Sequence, residues 1–476
     1  MRRSRIFLLL GIIILIPTIL FFWLDQQPNA KTQDTSFAVV NELHDLIAKE
    51  SVYDVTSEKL VEGALRGMAK AIDDPYSTYY TQQEAALHKQ TLASERIGIG
   101  IELSESEGKF IVISPVKTSP ADKAGIRPLD EIIQINDTRL EGKSMSDVMQ
   151  LMQGKEGEIV ELVVFRPNIE RHVKISVKRA KLKNNTVQSE VIQVEDTPIG
   201  YVTVTLFGEE TGAEWQRELN KVFEQDVKAL VIDVRDNPGG YLHSVAQMIS
   251  TFERQEKIFA YMQKSNGKTE PLKTKYVEEF SPYIEKLKNI PVAIIQNEGS
   301  ASASEVFAGA LQDWQRATVI GVTSFGKGTV QQNWELKNGG ELKLSTNKWL
   351  TPTQRWIHHV GIEPDIEVKQ HPLYGIGTKL LKGRFETSEF SEEIAYTQNV
   401  LAELGYAIVR KDGFFDMETA QAVSNFRKRY DLQDGRHMDE QFFAKLTEQL
   451  QTYKDSQIND TQLQMALSFV MHQLQM

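Results

Sequence analysis

The sequence predicts an α/β protein of several domains, on three observations. At 476 residues the chain accommodates about three domains of roughly 150 residues each. Its middle alternates strand-like apolar runs, such as Leu230-Val231-Ile232, with helical stretches such as Val306–Leu311, the pattern of an α/β core. Both flanks carry apolar residues at the three-and-four spacing of amphipathic helices. No internal repeat or low-complexity segment interrupts this plan.

Taken in order, the first element is an apolar run from Ile6 to Leu24, preceded by Arg2, Arg3 and Arg5. Its length is close to the roughly 20 residues that span a bilayer. Basic residues stay on the cytoplasmic side, so the rest of the chain should face outward. The run exceeds a usual signal core and no Ala-x-Ala site follows, which favours an uncleaved anchor over a removed signal peptide. Pro17 and Thr18 weaken this helix without excluding a span. A polar linker from Gln26 to Thr35 leads to a helical region over 37–94. There Val39, Val40, Leu43, Leu46 and Ile47, then Leu60, Val61, Ala64, Leu65, Met68 and Ala69, follow helical spacing.

In the middle of the chain, Leu230-Val231-Ile232-Asp233-Val234-Arg235-Asp236-Asn237-Pro238-Gly239-Gly240 reads as a buried strand entering a tight glycine turn. Asp233 and Arg235 read as an ion pair or strand-end hydrogen bonds. Further on, Gly299-Ser300-Ala301-Ser302-Ala303-Ser304-Glu305 opens an apolar helical run, and Gly326-Lys327-Gly328-Thr329-Val330-Gln331 follows it. Each piece alone has a plain structural meaning. Ser302 and Glu305 have capping-box spacing, and Gly-Lys-Gly suits a hairpin turn. Together they suggest chemistry. A serine hydroxyl needs a base to take its proton, and a lysine serves only when desolvation lowers its pKa. Lys327 is therefore expected to be buried, between glycines that let backbone pack closely around it. On an extended segment Lys327 and Gln331 point the same way, so Gln331 can offer its amide oxygen to the lysine. A helix start at Ser302 supplies free N–H groups to a developing oxyanion.

This set resembles the serine–lysine active site of the C-terminal processing peptidases. The resemblance implies Ser302 as nucleophile, Lys327 as base and Gln331 as the residue that orients it. It also implies an oxyanion hole made by the N–H of Ala303 with that of Gly239 or Gly240. Other family positions are Gly200, Tyr201, Val202, Val204, Phe207, Gly361, Ile362, Pro364 and Asp365. Thr351-Pro352-Thr353-Gln354-Arg355 lacks the glycine many relatives carry after that proline. Asp74-Pro75-Tyr76-Ser77-Thr78-Tyr79-Tyr80 resembles the turn closing the helical region, with packing or dimer contact as its role.

Ile97-Gly98-Ile99-Gly100-Ile101, Ser119-Pro120-Ala121, Ala124-Gly125-Ile126 and Asp130 resemble a PDZ domain over 95–180. That likeness implies that Ile97, Gly98, Ile99, Gly100 and Ile101 hold a peptide carboxylate beside an open strand edge. The helix from about Ser144 to Met152 would form the other wall, its apolar stripe either core or specificity pocket. Arg166 would couple peptide binding to activation, a solvated arginine being the alternative. Leu404-Gly405-Tyr406, Asp412-Gly413, Phe415, Phe426 and Gly435 resemble a small helical peptidoglycan-binding domain over 390–452, although Arg427 stands where a glutamine is common. A bare three-helix packing module is the alternative. Leu463, Ala466, Leu467, Val470 and Leu474 form a final helix over 456–476, suited to docking or dimerisation.

Several functions are excluded. A net charge of −11 argues against nucleic acid. The absence of cysteine removes disulfides, thiolate zinc sites and a lipoprotein anchor. His358 and His359, adjacent on a presumed strand, would face opposite ways and make a poor metal pair. No cofactor is implied. His243, three residues past Gly240, is a rival base for a Ser-His-Asp triad. The expectation is an exported, membrane-anchored serine endopeptidase with its protease core at 181–375. It would select protein substrates by their C-termini, bind peptidoglycan and form a homodimer. The rival from another class is a non-catalytic cell-wall adaptor.

Overall fold

The computed structural model describes residues 35–476 other than 93–94, 107, 116–118, 128–129, 167–170, 184, 378 and 380. The anchor expected at 6–24 lies outside the described residues. Among the described residues, no helix is long and apolar enough to cross a membrane. Of the described residues, those up to Ala85 together with Gln331–Ser345 form one compact unit, and those of Ala86–Val330 with Thr346–Met476 form another.

The centre of the larger unit is a six-stranded sheet in the order Val187–Val194, Thr197–Val204, Ala229–Asp233, Val292–Gln296, Thr318–Gly321 and Ile366–Glu367. The first pair is antiparallel and the others are parallel. Ala229–Asp233 and Val292–Gln296 are buried at every position, as strands covered on both faces must be. One face packs Leu230, Ile232 and Ile294 against Trp215, Leu219, Val245, Met248, Phe307 and Leu311 from three helices. The opposite face packs Ile199, Val231, Ala293, Ile295 and Ile320 against Leu463, Ala466, Leu467 and Val470. The terminal helix Thr461–Gln475 thus docks on the sheet and completes its core. Ligand sites in such sheets lie beyond the carboxyl ends of the strands. Here two such ends lead into the Gly239 turn and the Ser302 loop.

The segment between the helical region and this sheet folds around its own core of Ile99, Phe110, Val112, Ile132, Ile135, Val148, Leu162 and Val164. Its sheet runs Ile101–Ser106, Lys109–Pro115, Glu131–Ile135, Ile159–Arg166, Arg171–Lys178. The entering strand Glu95–Gly98 pairs antiparallel with the leaving strand Ala180–Lys183, Gly98 opposite Ala180. The segment is therefore an insertion clamped at its neck.

In the smaller unit, helices Thr35–Glu50 and Ser57–Lys70 leave Phe37, Val39, Leu43, Leu46 and Met68 exposed. Thr78–Tyr80 is a strand, paired antiparallel with Glu341–Lys343, so the expected turn ends by entering a sheet. Its partner lies far along the chain, and no local pattern announces it. Asn338 Nδ2 donates to the Tyr79 hydroxyl at 2.8 Å.

Helices Glu392–Glu403, Met417–Arg429 and Glu440–Asp455 form a C-terminal module with its own core of Val400, Phe415, Val423, Phe426, Phe442 and Leu446. Ser391, Asp416 and Asp439 cap the three helices by accepting from Ile394, Thr419 and Phe442 N–H. Arg427 is fully buried. It donates to both Asp439 oxygens at 3.0 and 2.8 Å and to the Gln433 carbonyl at 2.8 Å. The guanidinium thus closes the loop before the third helix. At Thr351–Arg355, Gln354 takes φ 64°, a conformation that favours glycine. Asp313 holds that turn by accepting from the Thr353 N–H and hydroxyl and from Arg355.

Candidate active site

The nucleophile loop is built by its neighbours. Ser300 donates its hydroxyl to the Val234 carbonyl at 2.7 Å, and Ser304 donates to the Asn237 carbonyl at 2.9 Å. Both outer serines are buried and bind the end of the adjacent strand. Ser302, between them, is half-buried at φ 56°, ψ −112°. A non-glycine residue held there stores strain of about 1–3 kcal/mol, a cost met mostly at functional sites. It immediately precedes helix Ala303–Asp313, whose first N–H groups have no partner within the helix.

Glu305, which the sequence offers only as the far end of a capping box, does more. Its Oε2 accepts from Ser302 N–H at 2.7 Å and from Lys327 N–H at 2.9 Å. Its Oε1 accepts from the Ser324 hydroxyl at 2.7 Å and Gly326 N–H at 2.6 Å. One carboxylate oxygen therefore joins the backbone of Ser302 to that of Lys327. Burial pushes the Glu305 pKa above the usual carboxylate range, although all four donors oppose the rise. Lys327 itself is half-buried, not buried as expected. The reason is local: its loop carries Phe325, 52% exposed, on the solvent side.

The glycine turn packs directly on this loop. A Cβ on Gly239, which has φ 102°, would lie 2.8 Å from Ser302 Cβ and 2.9 Å from Ala303 N. Gly239 N–H donates to Asn237 Oδ1 at 2.9 Å, and buried Asn237 also donates its Nδ2 to the Val204 carbonyl at 2.7 Å. Gly240, at φ 139°, leaves room for no side chain against the Phe207 carbonyl. Asp233 and Arg235 form an ion pair at 2.6 Å, and Arg235 reaches Asp460 at 2.7 Å. Burial opposes the charge on Arg235, but the two carboxylates outweigh it and raise its pKa. Tyr201 donates to Asp233 Oδ2 at 2.6 Å.

Gln331 lies in the smaller unit, where its Nε2 donates to Ser345 Oγ at 3.0 Å. His243 is exposed on helix Leu242–Ile249 and stacks on Tyr241. His358 and His359 occupy a turn, not a strand, and their ring centroids are 3.9 Å apart. They do not face opposite ways, because His359 takes φ 60°.

In the inserted domain, Gly100 at φ 79° packs against Ser119, whose hydroxyl donates to the Gly100 carbonyl at 3.1 Å. Ile99 is buried in the core and its carbonyl accepts from Ala121 N–H. Ile97, Gly98 and Ile101 flank it at the strand ends. Arg166 is not solvated. It is buried, donating to both oxygens of Asp130 at 2.8 Å and to the Gly125 carbonyl at 2.8 Å. A carboxylate buried 36 residues away in sequence is what draws it inward. In the helix Met145–Met152, Val148 and Met152 belong to the core.

Comparison with known proteins agrees with this architecture. Residues 198–368 match the model for peptidase family S41, 111–166 a PDZ domain, and 23–84 the N-terminal domain of the activating protease CtpB. Together with the sheet and the insertion they define a serine peptidase carrying a PDZ domain. Carboxy-terminal processing protease CtpB of Bacillus subtilis (strain 168) is 37% identical over 91% of this chain and 89% of its own. Carboxy-terminal processing protease CtpA of the same organism is 31% identical over 93% and 91%. A probable CtpA-like serine protease of Staphylococcus aureus (strain MRSA252) is 31% identical over 94% and 89%. The chain belongs to peptidase family S41, among the carboxy-terminal processing proteases.

Proposed function

We propose that this peptidase is an exported endopeptidase working through Ser302 and Lys327. Lys327 Nζ takes the Ser302 hydroxyl proton as Oγ adds to the scissile carbonyl. The same proton passes to the leaving amine as the C–N bond breaks, and water then resolves the acyl-enzyme with Lys327 again as base. The observation that carries this reading is the Glu305 Oε2 atom bound to both Ser302 N–H and Lys327 N–H, since nucleophile and base share one support. Substrate covering the half-buried lysine would complete the desolvation its role needs. Gln331, four residues on, is assigned to orient Lys327. For the oxyanion hole the assignment is Ala303 N–H with Gly240 N–H, because Gly239 N–H already serves Asn237. The test is cleavage of an unfolded model protein. Ser302→Ala and Lys327→Ala should each lower kcat by about 10⁴-fold or more, with Gln331→Ala less severe. Full activity of Lys327→Ala would overturn the mechanism, and loss confined to His243→Ala would favour the triad.

Selection by substrate C-termini is assigned to the PDZ loop Ile97–Ile101, with Arg166 relaying occupancy to the core. Support comes from the edge position of Ile101–Ser106 in its sheet, which leaves a side for strand addition. The run 6–24 would anchor the protein, with its enzymatic body outside the cytoplasm. Detergent-free solubility of the full chain would count against that. The apolar residues exposed on Thr35–Glu50 favour a homodimer, which sedimentation equilibrium tests. Peptidoglycan binding is assigned to the C-terminal module. Undiminished co-sedimentation with cell wall after deleting 392–450 would withdraw it.

A further inference from the structure

The Gly326-Lys327-Gly328 backbone is bonded at every polar group. Gly326 N–H and Lys327 N–H go to Glu305, and the Gly326 carbonyl accepts from His359 N–H at 2.9 Å. The remaining three groups meet aromatic side chains. Trp349 Nε1 donates to the Lys327 carbonyl at 2.8 Å, Trp356 Nε1 donates to the Gly328 carbonyl at 3.0 Å, and Gly328 N–H donates to His358 Nδ1 at 3.2 Å. The Trp356 and His358 rings stack, with centroids 5.2 Å apart and planes at 24°. Lys348 Nζ lies 3.8 Å from the Trp356 ring centroid. Packing leaves no slack, since a Cβ on Gly328 would lie 2.8–2.9 Å from His358 N, His358 Cβ and Trp356 Nε1.

We propose that Trp349, Trp356 and His358 are positioning residues that fix the direction from which Lys327 reaches Ser302. The inference rests on Lys327 being the base. With both peptide groups of the lysine locked, the backbone fixes the Cα from which its side chain reaches toward Ser302. His358 takes part as an acceptor, so Nδ1 carries no proton and the ring is the Nε2–H tautomer. None of the three rings is required to touch substrate. Their loss should therefore act on turnover and not on substrate affinity.

The experiment compares His358→Leu, His358→Asn and Trp356→Phe in the full chain, on a fluorogenic peptide, with thermal melts of each. Leucine removes the acceptor, whereas the Oδ1 of asparagine falls close to the place of Nδ1. Phenylalanine keeps an aromatic ring at position 356, smaller than the indole, and removes the N–H that the Gly328 carbonyl accepts. A base displaced by about 1 Å costs on the order of 10²-fold, so His358→Leu should lose kcat on that scale at unchanged KM. His358→Asn should recover most of the loss, and Trp356→Phe should fall between them. Wild-type kcat in folded His358→Leu, equal loss in leucine and asparagine variants, or a change confined to KM would each overturn the proposal. If His358→Leu does not fold, Trp356→Phe with wild-type kcat overturns it instead. Lys327→Ala in the same assay separates the two readings. Its full activity would sink the serine–lysine mechanism itself, whereas an inactive Lys327→Ala beside a fully active His358→Leu would remove only the ring clamp.

Discussion

Two carboxylates in the larger unit are recruited for opposite purposes. Glu305 is fully buried and accepts from three backbone N–H groups and one hydroxyl. Asp439, in the C-terminal module, faces the buried guanidinium of Arg427 in a two-oxygen pair. Burial raises the pKa of Glu305 above the ordinary range. In Asp439 burial acts the same way but Arg427, the Phe442 N–H and His437 outweigh it, and its pKa falls to about 2. A charge supported by neutral donors holds backbone in place near a reacting group. A charge supported by its opposite holds a fold together.

Substitution should separate these roles most strongly. Glu305→Gln puts an N–H₂ group among N–H donors, and kcat should fall by about 10²-fold because both Ser302 and Lys327 lose their common support. The steady-state rate on a soluble peptide is the measure, and near-wild-type turnover would deny Glu305 its catalytic position. Asp439→Asn should leave that rate nearly unchanged. It leaves Arg427 buried without its countercharge, which costs about 3–5 kcal/mol, read as an early melting step of the module by calorimetry. An unaltered melt would break the comparison from the other side.

Acid should act on the two at different pH. The depressed pKa of Asp439 contributes stability that is complete above its ordinary value near 3.8 and is lost as pH falls toward about 2. Glu305 has the opposite sign. Its raised pKa lets it take up a proton above 4.5, and protonation removes an acceptor that the Ser302–Lys327 bridge uses. Peptidase activity should thus fall at milder acidity than the module's melting temperature. Simultaneous loss would mean that one global transition governs both. The smallest expected effect concerns selection: amidating a substrate's C-terminal carboxylate should slow cleavage severalfold through loss of the anion at the PDZ loop, and equal rates would exclude that loop from substrate choice.

Periodicity and spacing, read without any structure, determined much. The buried strand at Leu230–Asp233, the helix after Ser302, the amphipathic terminal helix and the α/β class follow from local apolar patterns that any folded state of this chain must satisfy. Ser302, Lys327 and Gln331 were legible as candidates because together they resemble the serine–lysine site of the C-terminal processing peptidases, whereas each alone reads as a cap, a turn or a strand residue. Only tertiary structure decided which groups hold them. Glu305 meets Lys327 across 22 positions, Gly328 meets His358 across 30, and Arg235 meets Asp460 across 225. Those partners are ordinary polar or aromatic residues, and apart from the capping-box spacing of Glu305 none carries a local signature. Arg166 shows the same limit, since its burial depends on Asp130, 36 residues away. A side chain's own pattern records whether it prefers the interior, but the hydrogen bond that makes burial tolerable belongs to whichever distant residue the fold brings beside it.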